Sequence, residues 1–122
     1  MILLDSNIII GYLNGDKDII RTIDLLRRER RALFVSVVSI AEVLCMPEAT
    51  GETLLTIEQF LDGFIVIDPD KTIAKRAATL RRSYHLDIPD AFIVATAIER
   101  DLPLATRDKK MRAVPSIIFA EI

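Results

Sequence analysis

Four carboxylates in this 122-residue sequence sit where ordinary surface acids do not. Asp5 ends the apolar opening "MILLD" and is followed by Ser6, Asn7 and the run Ile8-Ile9-Ile10. Glu42 stands among Ile40, Ala41, Val43 and Leu44, Asp90 opens the apolar stretch "IPDAFIVATA", and Asp108 closes "LATRD". A buried acid costs several kcal/mol unless it is paired, protonated or bound to a metal. Asp5 makes a poor helix cap, because β-branched isoleucines follow it rather than good helix formers. An ordinary solvated face does not suit Glu42. Taken singly, Asp90 also reads as a complement to a helix N-terminus, and Asp108 as a turn residue.

Clustered carboxylates repel, and they protonate or splay apart unless a cation neutralises them. With one cysteine and one histidine in the chain, the donors on offer are oxygens. Such a set suits a hard octahedral ion, Mg2+ or Mn2+, over Zn2+. Mg2+ keeps several waters and meets a protein through one or two carboxylates plus substrate phosphate, which fits phosphodiester hydrolysis. Ser6, Asn7 and Thr106 are then supporting or phosphate contacts; a turn or capping role accounts for each of them equally well.

What brings the four acids together is the order of elements. Apolar or β-branched runs at 2–4, 32–38, 64–67, 103–106 and 116–120 read as five strands. Helical spacing appears in 16–31 (Ile19, Ile20, Ile23, Leu26), in 39–46 ending before Pro47, in 51–63 (Leu54, Leu55, Glu58, Leu61, with Gly63 as a C-cap), in 71–84 (Ile73, Ala77, Leu80, Tyr84) and in 87–101. Strands that alternate with helices and are continuously apolar predict a parallel sheet covered on both faces. Ligands bind such sheets beyond the carboxyl ends of the strands. Asp5 ends strand one, Glu42 opens the helix after strand two, Asp90 lies in the first turn of a buried helix, and Asp108 follows strand four. All four therefore project to one edge.

Composition sets the outer bounds. A chain of this length with 51% hydrophobic residues forms a single domain, residues 1–122, with a real core. No apolar run approaches the roughly 18 residues that cross a membrane. The opening residues lack a signal-peptide pattern, and the single Cys45 excludes an intrachain disulfide and a CxxC zinc site. A cytoplasmic protein with Cys45 in its core is expected. A net charge of −2 argues against general electrostatic binding of nucleic acid. Local basic clusters exist at Arg27, Arg28, Arg30 and Arg31, at Arg81 and Arg82, and at Arg107, Lys109, Lys110 and Arg112. Such clusters are usually solvated faces, but Arg107, Lys109 and Lys110 flank Asp108 and are candidate RNA contacts.

The blocks "LLDSN", "SVVSIAEVL" and "IPDAFIVATAIERDLPLATRD", with a short closing strand, resemble the PIN-domain family over nearly the full chain. The resemblance is to the VapC-type toxins of bacterial and archaeal toxin–antitoxin pairs. It implies a three-layer α/β/α fold and a metal-dependent endoribonuclease, with Asp5, Glu42, Asp90 and Asp108 as its acids and metal carried by Asp5, Asp90 and Asp108. It also implies a homodimer, inhibition by a small cognate antitoxin that covers the acidic groove, and DNA autoregulation through that antitoxin. Met111 departs from the pattern, standing where family members often carry an aromatic. Asp87 reads as a helix N-cap in preference to a ligand, and His85 as a surface or helix-end residue rather than a general base.

Three other readings compete. A phosphorelay receiver needs an acidic pair after strand one and a Lys after strand five; this chain has neither, although Asp68 follows strand three. A haloacid-dehalogenase-type phosphatase needs Asp-x-Asp after strand one, and Asn7 occupies the second position. A catalytically silent scaffold that keeps the fold and binds RNA or a partner has no need of all four acids.

Overall fold

A computed structural model describes all of residues 1–122. β1 (Ile2–Leu4) leads into α1 (Ser6–Leu13) and α2 (Lys17–Arg28). β2 (Leu33–Ser36) is followed by α3 (Val37–Leu44) and α4 (Gly51–Leu61), and β3 (Ile65–Ile67) by α5 (Lys71–Tyr84) and α6 (Ile88–Glu99). β4 (Leu104–Ala105) and the short α7 (Lys109–Arg112) complete the set. The sheet is four-stranded, ordered β3-β2-β1-β4, and every pairing is parallel.

Side chains alternate across a strand, and β1 shows what that does here. Ile2 and Leu4 enter one core cluster with α1, α2, α4 and β2, while Leu3 enters a second with α5, α6 and β4. The sheet is thus sandwiched between two helical layers, an α/β/α arrangement. β1 lies between β2 and β4, and all three of its residues are buried, as expected for the middle of a parallel sheet. Double coverage fails at the edge strand β3, where Ile65 and Val66 stay about half exposed, at 50% and 46%.

Several elements differ from the sequence expectation. The fifth strand shrinks to one parallel bridge between Leu104 and Phe119, held by Leu104 N to Ile118 O and Ala120 N to Leu104 O, each 2.9 Å. β4 is only two residues long, so it offers little ladder to extend, and Pro115 with a left-handed Ser116 (φ 70°) delays the extended path. The isoleucines after Asp5 are helical: α1 forms because Ile8 and Ile9 are fully buried, and packing overrides modest propensity. Gly11 serves that packing, since a Cβ there would lie 2.5 Å from the Ile19 side chain of α2.

Cys45 is exposed, not in the core: it is the first residue past α3, where the chain turns outward, and its Sγ donates to Glu42 O at 3.2 Å. The helix over 51–61 packs Leu54, Ile57 and Leu61 inward and leaves Leu55 59% exposed, so Ile57 takes the inward place expected of Leu55 and Glu58. Gly63 has no left-handed conformation, and Asp62 closes that helix instead. Arg27 of the first basic cluster lies over the rings of Phe60 and Phe64, 4.8 and 5.0 Å from their centroids, which makes it a packing residue.

The exchange of Leu55 for Ile57 on the inward face of α4 is testable. Ile57→Ala should cost about 2–5 kcal/mol, as for a buried aliphatic residue. Leu55→Ala should stay within about 0.5 kcal/mol. Urea-denaturation midpoints of the two variants check this, and equal losses would contradict the assigned face.

Candidate active site

β1 runs into Asp5, whose N–H donates to Ala105 O at 3.0 Å and so carries the parallel pairing one residue further. Asp5 then occupies the N-cap position of α1 in extended backbone, yet its carboxylate makes no capping bond. That leaves a fully buried acid, 0% exposed, free for other partners. The hydroxyl of Thr106 donates to Asp5 Oδ2 at 2.8 Å. Ser6 Oγ lies 3.4 Å from Asp5 Oδ1 and makes its shorter bond, 3.0 Å, to Glu42 Oε1. No basic side chain forms an ion pair with any of the four site acids.

The other acids arrive by helix starts. Ser36, at the end of β2, caps α3 by accepting from Val38 N at 3.1 Å, and α3 presents a half-buried Glu42. Asp90 lies in the first turn of α6 beside Pro89, which is pre-shaped for that position. Asp108 caps α7, its Oδ1 accepting from Lys110 N at 2.8 Å and Met111 N at 3.1 Å. Thr106 ties Asp108 to Asp5, since its hydroxyl also accepts from Asp108 N at 3.1 Å. Arg112 holds this turn from outside by donating to Thr106 O at 2.9 Å, and Met111 fills the space beneath it, fully buried.

The acids act on one another. Burial raises the Asp5 pKa; the Thr106 and Ser6 hydrogen bonds oppose that rise, and the charges of Glu42 and Asp108 add to it. Burial likewise raises Glu42, against the Ser6 hydrogen bond and with the charge of Asp90. Asp90 is pushed up to about 6 by burial and by the charges of Asp5, Asp108 and Asp87, with Lys110 pulling the other way. Four carboxylates thus share one neighbourhood at the carboxyl edge of the sheet, as their order in the sequence implies.

No three of the chain's His, Cys, Asp or Glu side chains are gathered tightly enough to hold an ion by themselves. An all-oxygen donor set, partly buried, mutually repelling and without an ion pair, fits a hard divalent ion that keeps some of its waters.

The remaining predicted residues divide. Ser6 and Thr106 are buried on the acids, whereas Asn7 is exposed in the first turn of α1. Lys109 and Lys110 are exposed beside Asp108, while Arg107 is committed to Asp16 at 2.9 Å. Asp87 holds the N-cap position of α6 without a capping bond, His85 is exposed at the end of α5, and Asp68 is exposed past the edge strand. Two buried serines escaped the sequence reading. Ser36 had a readable signal, a small hydroxyl residue between a strand and a helix. Ser39, one turn before Glu42, is buried with no partner for its hydroxyl, and its serine-to-acid spacing on one helix face was the available clue.

Residues 2–117 match the PIN domain family. Among solved structures, a toxin–antitoxin complex from Klebsiella pneumoniae is similar over 100% of both chains, at 28% identity and TM-score 0.82. FitAcB from Neisseria gonorrhoeae is 26% identical, with 98% of this chain and 97% of that one covered and a TM-score of 0.73. VapBC2 from Rickettsia felis, bound to a DNA fragment from their promoter, shares the fold at 20% identity, 98% coverage of both chains and TM-score 0.81. No curated protein matches the chain.

The raised acids predict a pH dependence. Asp90 titrates near 3.8 when unfolded and about 6 when folded, so the folded chain binds more protons between those values. Its stabilising contribution is complete below the unfolded value and lost as pH rises through the folded one. Asp5 and Glu42 act in the same direction. In EDTA, thermal stability should therefore rise as pH falls from about 7.5 to about 5, and Asp90→Asn should flatten that rise. A melting temperature that falls over this interval would contradict the arrangement.

Proposed function

The chain belongs to the PIN domain family, and from that premise we propose that it is a metal-dependent endoribonuclease, the toxin of a type II toxin–antitoxin pair. The observation that carries this reading is the acid set itself: four carboxylates at one sheet edge, three with raised pKa and none ion-paired. A silent binding scaffold has no use for so costly an arrangement.

Asp5, Asp90 and Asp108 would hold Mg2+ or Mn2+, which when bound polarises the phosphoryl oxygen and acidifies the attacking water. Thr106 keeps Asp5 oriented by its 2.8 Å hydrogen bond, and the same hydroxyl fixes the backbone of Asp108. Asp108 spends Oδ1 on the cap of α7 and leaves Oδ2 free. Ser6 holds Glu42 Oε1, so Oε2 is available to accept the proton of the attacking water. Burial and the Asp90 charge make Glu42 a better proton acceptor than a solvated carboxylate. Lys109 and Lys110, both exposed beside Asp108, would meet the RNA backbone.

The partners follow from the same reading. The similar Klebsiella structure is a toxin–antitoxin complex, which supports a cognate antitoxin for this chain; a homodimer and a cytoplasmic location belong to the same proposal. No helix is long and apolar enough to cross a membrane.

Purified chain should cleave RNA with Mg2+ or Mn2+ and stop in excess EDTA. Asp5→Asn and Asp90→Asn should each lower the rate at least about 100-fold without loss of melting temperature. Ser6→Ala and Thr106→Val should lower it about 10–100-fold, as for residues that orient a ligand. Cleavage by an Asp5→Asn, Asp90→Asn double variant at the wild-type rate would overturn the proposal.

A further inference from the structure

Where α5 ends and α6 begins, a cleft of about 490 Å3 opens, lined by Ala78, Arg81, Arg82, His85, Asp87 and Ile88. It adjoins the acid cluster, because Asp87 and Ile88 lead directly into Asp90 within one helical turn. We propose that this corner is a subsite for the RNA strand, binding a non-scissile phosphate through Arg81 and Arg82 and seating the attached nucleoside against Ile88. The proposal rests on the nuclease reading above and adds to it where the strand leaves the acids.

The cations of the corner are not committed to carboxylates. Elsewhere Arg21, Arg76, Arg100 and Arg107 are paired with Asp18, Glu99, Asp70 and Asp16 at 3.7, 2.8, 3.4 and 2.9 Å. Arg82 forms no ion pair, and its one side-chain contact is a long 3.4 Å bond to Thr79 Oγ1. Arg81 is fixed in place: its Nη1 donates to Leu86 O at 2.7 Å, which holds the guanidinium at the cleft and leaves its other donors open. A guanidinium held in this way loses little freedom on taking up a phosphate.

His85 adds a second observation. It closes α5 in the left-handed conformation, φ 58°, where glycine is the residue of least strain. The side chain that bears this cost is an imidazole on the cleft wall, a further hydrogen-bond donor for a phosphate oxygen. Ile88, 48% exposed as the first residue of α6, supplies the apolar surface. Cation beside apolar shelf is the repeat of a nucleic acid strand, phosphate beside base.

The test uses the full chain and a short, labelled, single-stranded oligoribonucleotide of mixed sequence. Binding is followed by anisotropy in EDTA over a range of salt, and cleavage separately in Mg2+. Arg82→Ser should reduce the slope of log affinity against log salt by about 0.7, one phosphate contact on a single strand, which is about 5-fold in affinity at 0.1 M salt. His85→Gly should weaken binding several-fold while raising the melting temperature, which separates the loss from unfolding. Arg28→Ser removes the same charge from α2 on the opposite face of the sheet and should leave the slope unchanged.

A double variant, Arg82→Ser with His85→Gly, that binds with wild-type affinity and slope overturns the subsite. The same holds if wild-type chain binds no RNA, or if the double variant keeps RNA binding and loses only a protein partner. Binding that depends on the corner without any cleavage in Mg2+ would sink the nuclease reading and leave the subsite standing. Cleavage with corner-independent binding does the reverse.

Discussion

The constraint on which this structure turns is the burial of Asp5 at the end of the central strand. Its carboxylate is fully enclosed and has two hydroxyls for company, Thr106 at 2.8 Å and Ser6 at 3.4 Å, with no cation. Neutral donors offset only part of the cost of desolvating a charge. The raised pKa values record that shortfall, and on the proposed reading a divalent ion would offset it at neutral pH.

The parallel sheet explains why four acids so far apart in sequence share this condition. In such a sheet every strand ends on the same side, and α1 and α3 begin immediately after β1 and β2. Two cores, one on each face of β1, lock the strand that carries Asp5. The turn after β4 is held by a chain of contacts, with Arg112 on the Thr106 carbonyl, Met111 beneath it and Asp108 capping α7. Arg107 reaches across to Asp16, itself the cap of α2, which ties this turn to the opposite helical layer. The acids are held by rigid elements, not by a free loop.

Much of this was legible in the sequence, for identifiable reasons. The helix over 71–84 matches its expected bounds because Asp70 caps it and its apolar positions repeat at helical spacing. The convergence of the acids needed only the strand–helix order and the rule for parallel sheets. What failed was what tertiary contact decides. Three isoleucines after Asp5 are poor helix formers by type, yet α1 forms there because Ile8 and Ile9 are buried. Leu55 and Ile57 both fit a helical repeat, and only the position of the sheet chooses between them. Cys45 reads as a core residue by type, yet it lies just past a helix end, where backbone direction outweighs side-chain preference. The closing strand failed through its partner, since a two-residue β4 has little left to pair.

The account's central claim is that these carboxylates form a site completed by a divalent cation, and thermal unfolding with and without Mg2+ tests it most directly. A ligand that binds only the folded chain raises its melting temperature. Because Asp90 is deprotonated above about 6, the shift should be clear at about pH 7.5 and much reduced at about pH 5. It should vanish in the Asp5→Asn, Asp90→Asn double variant. An absent shift at pH 7.5, or an equal shift at both pH values that survives in the double variant, would contradict the account.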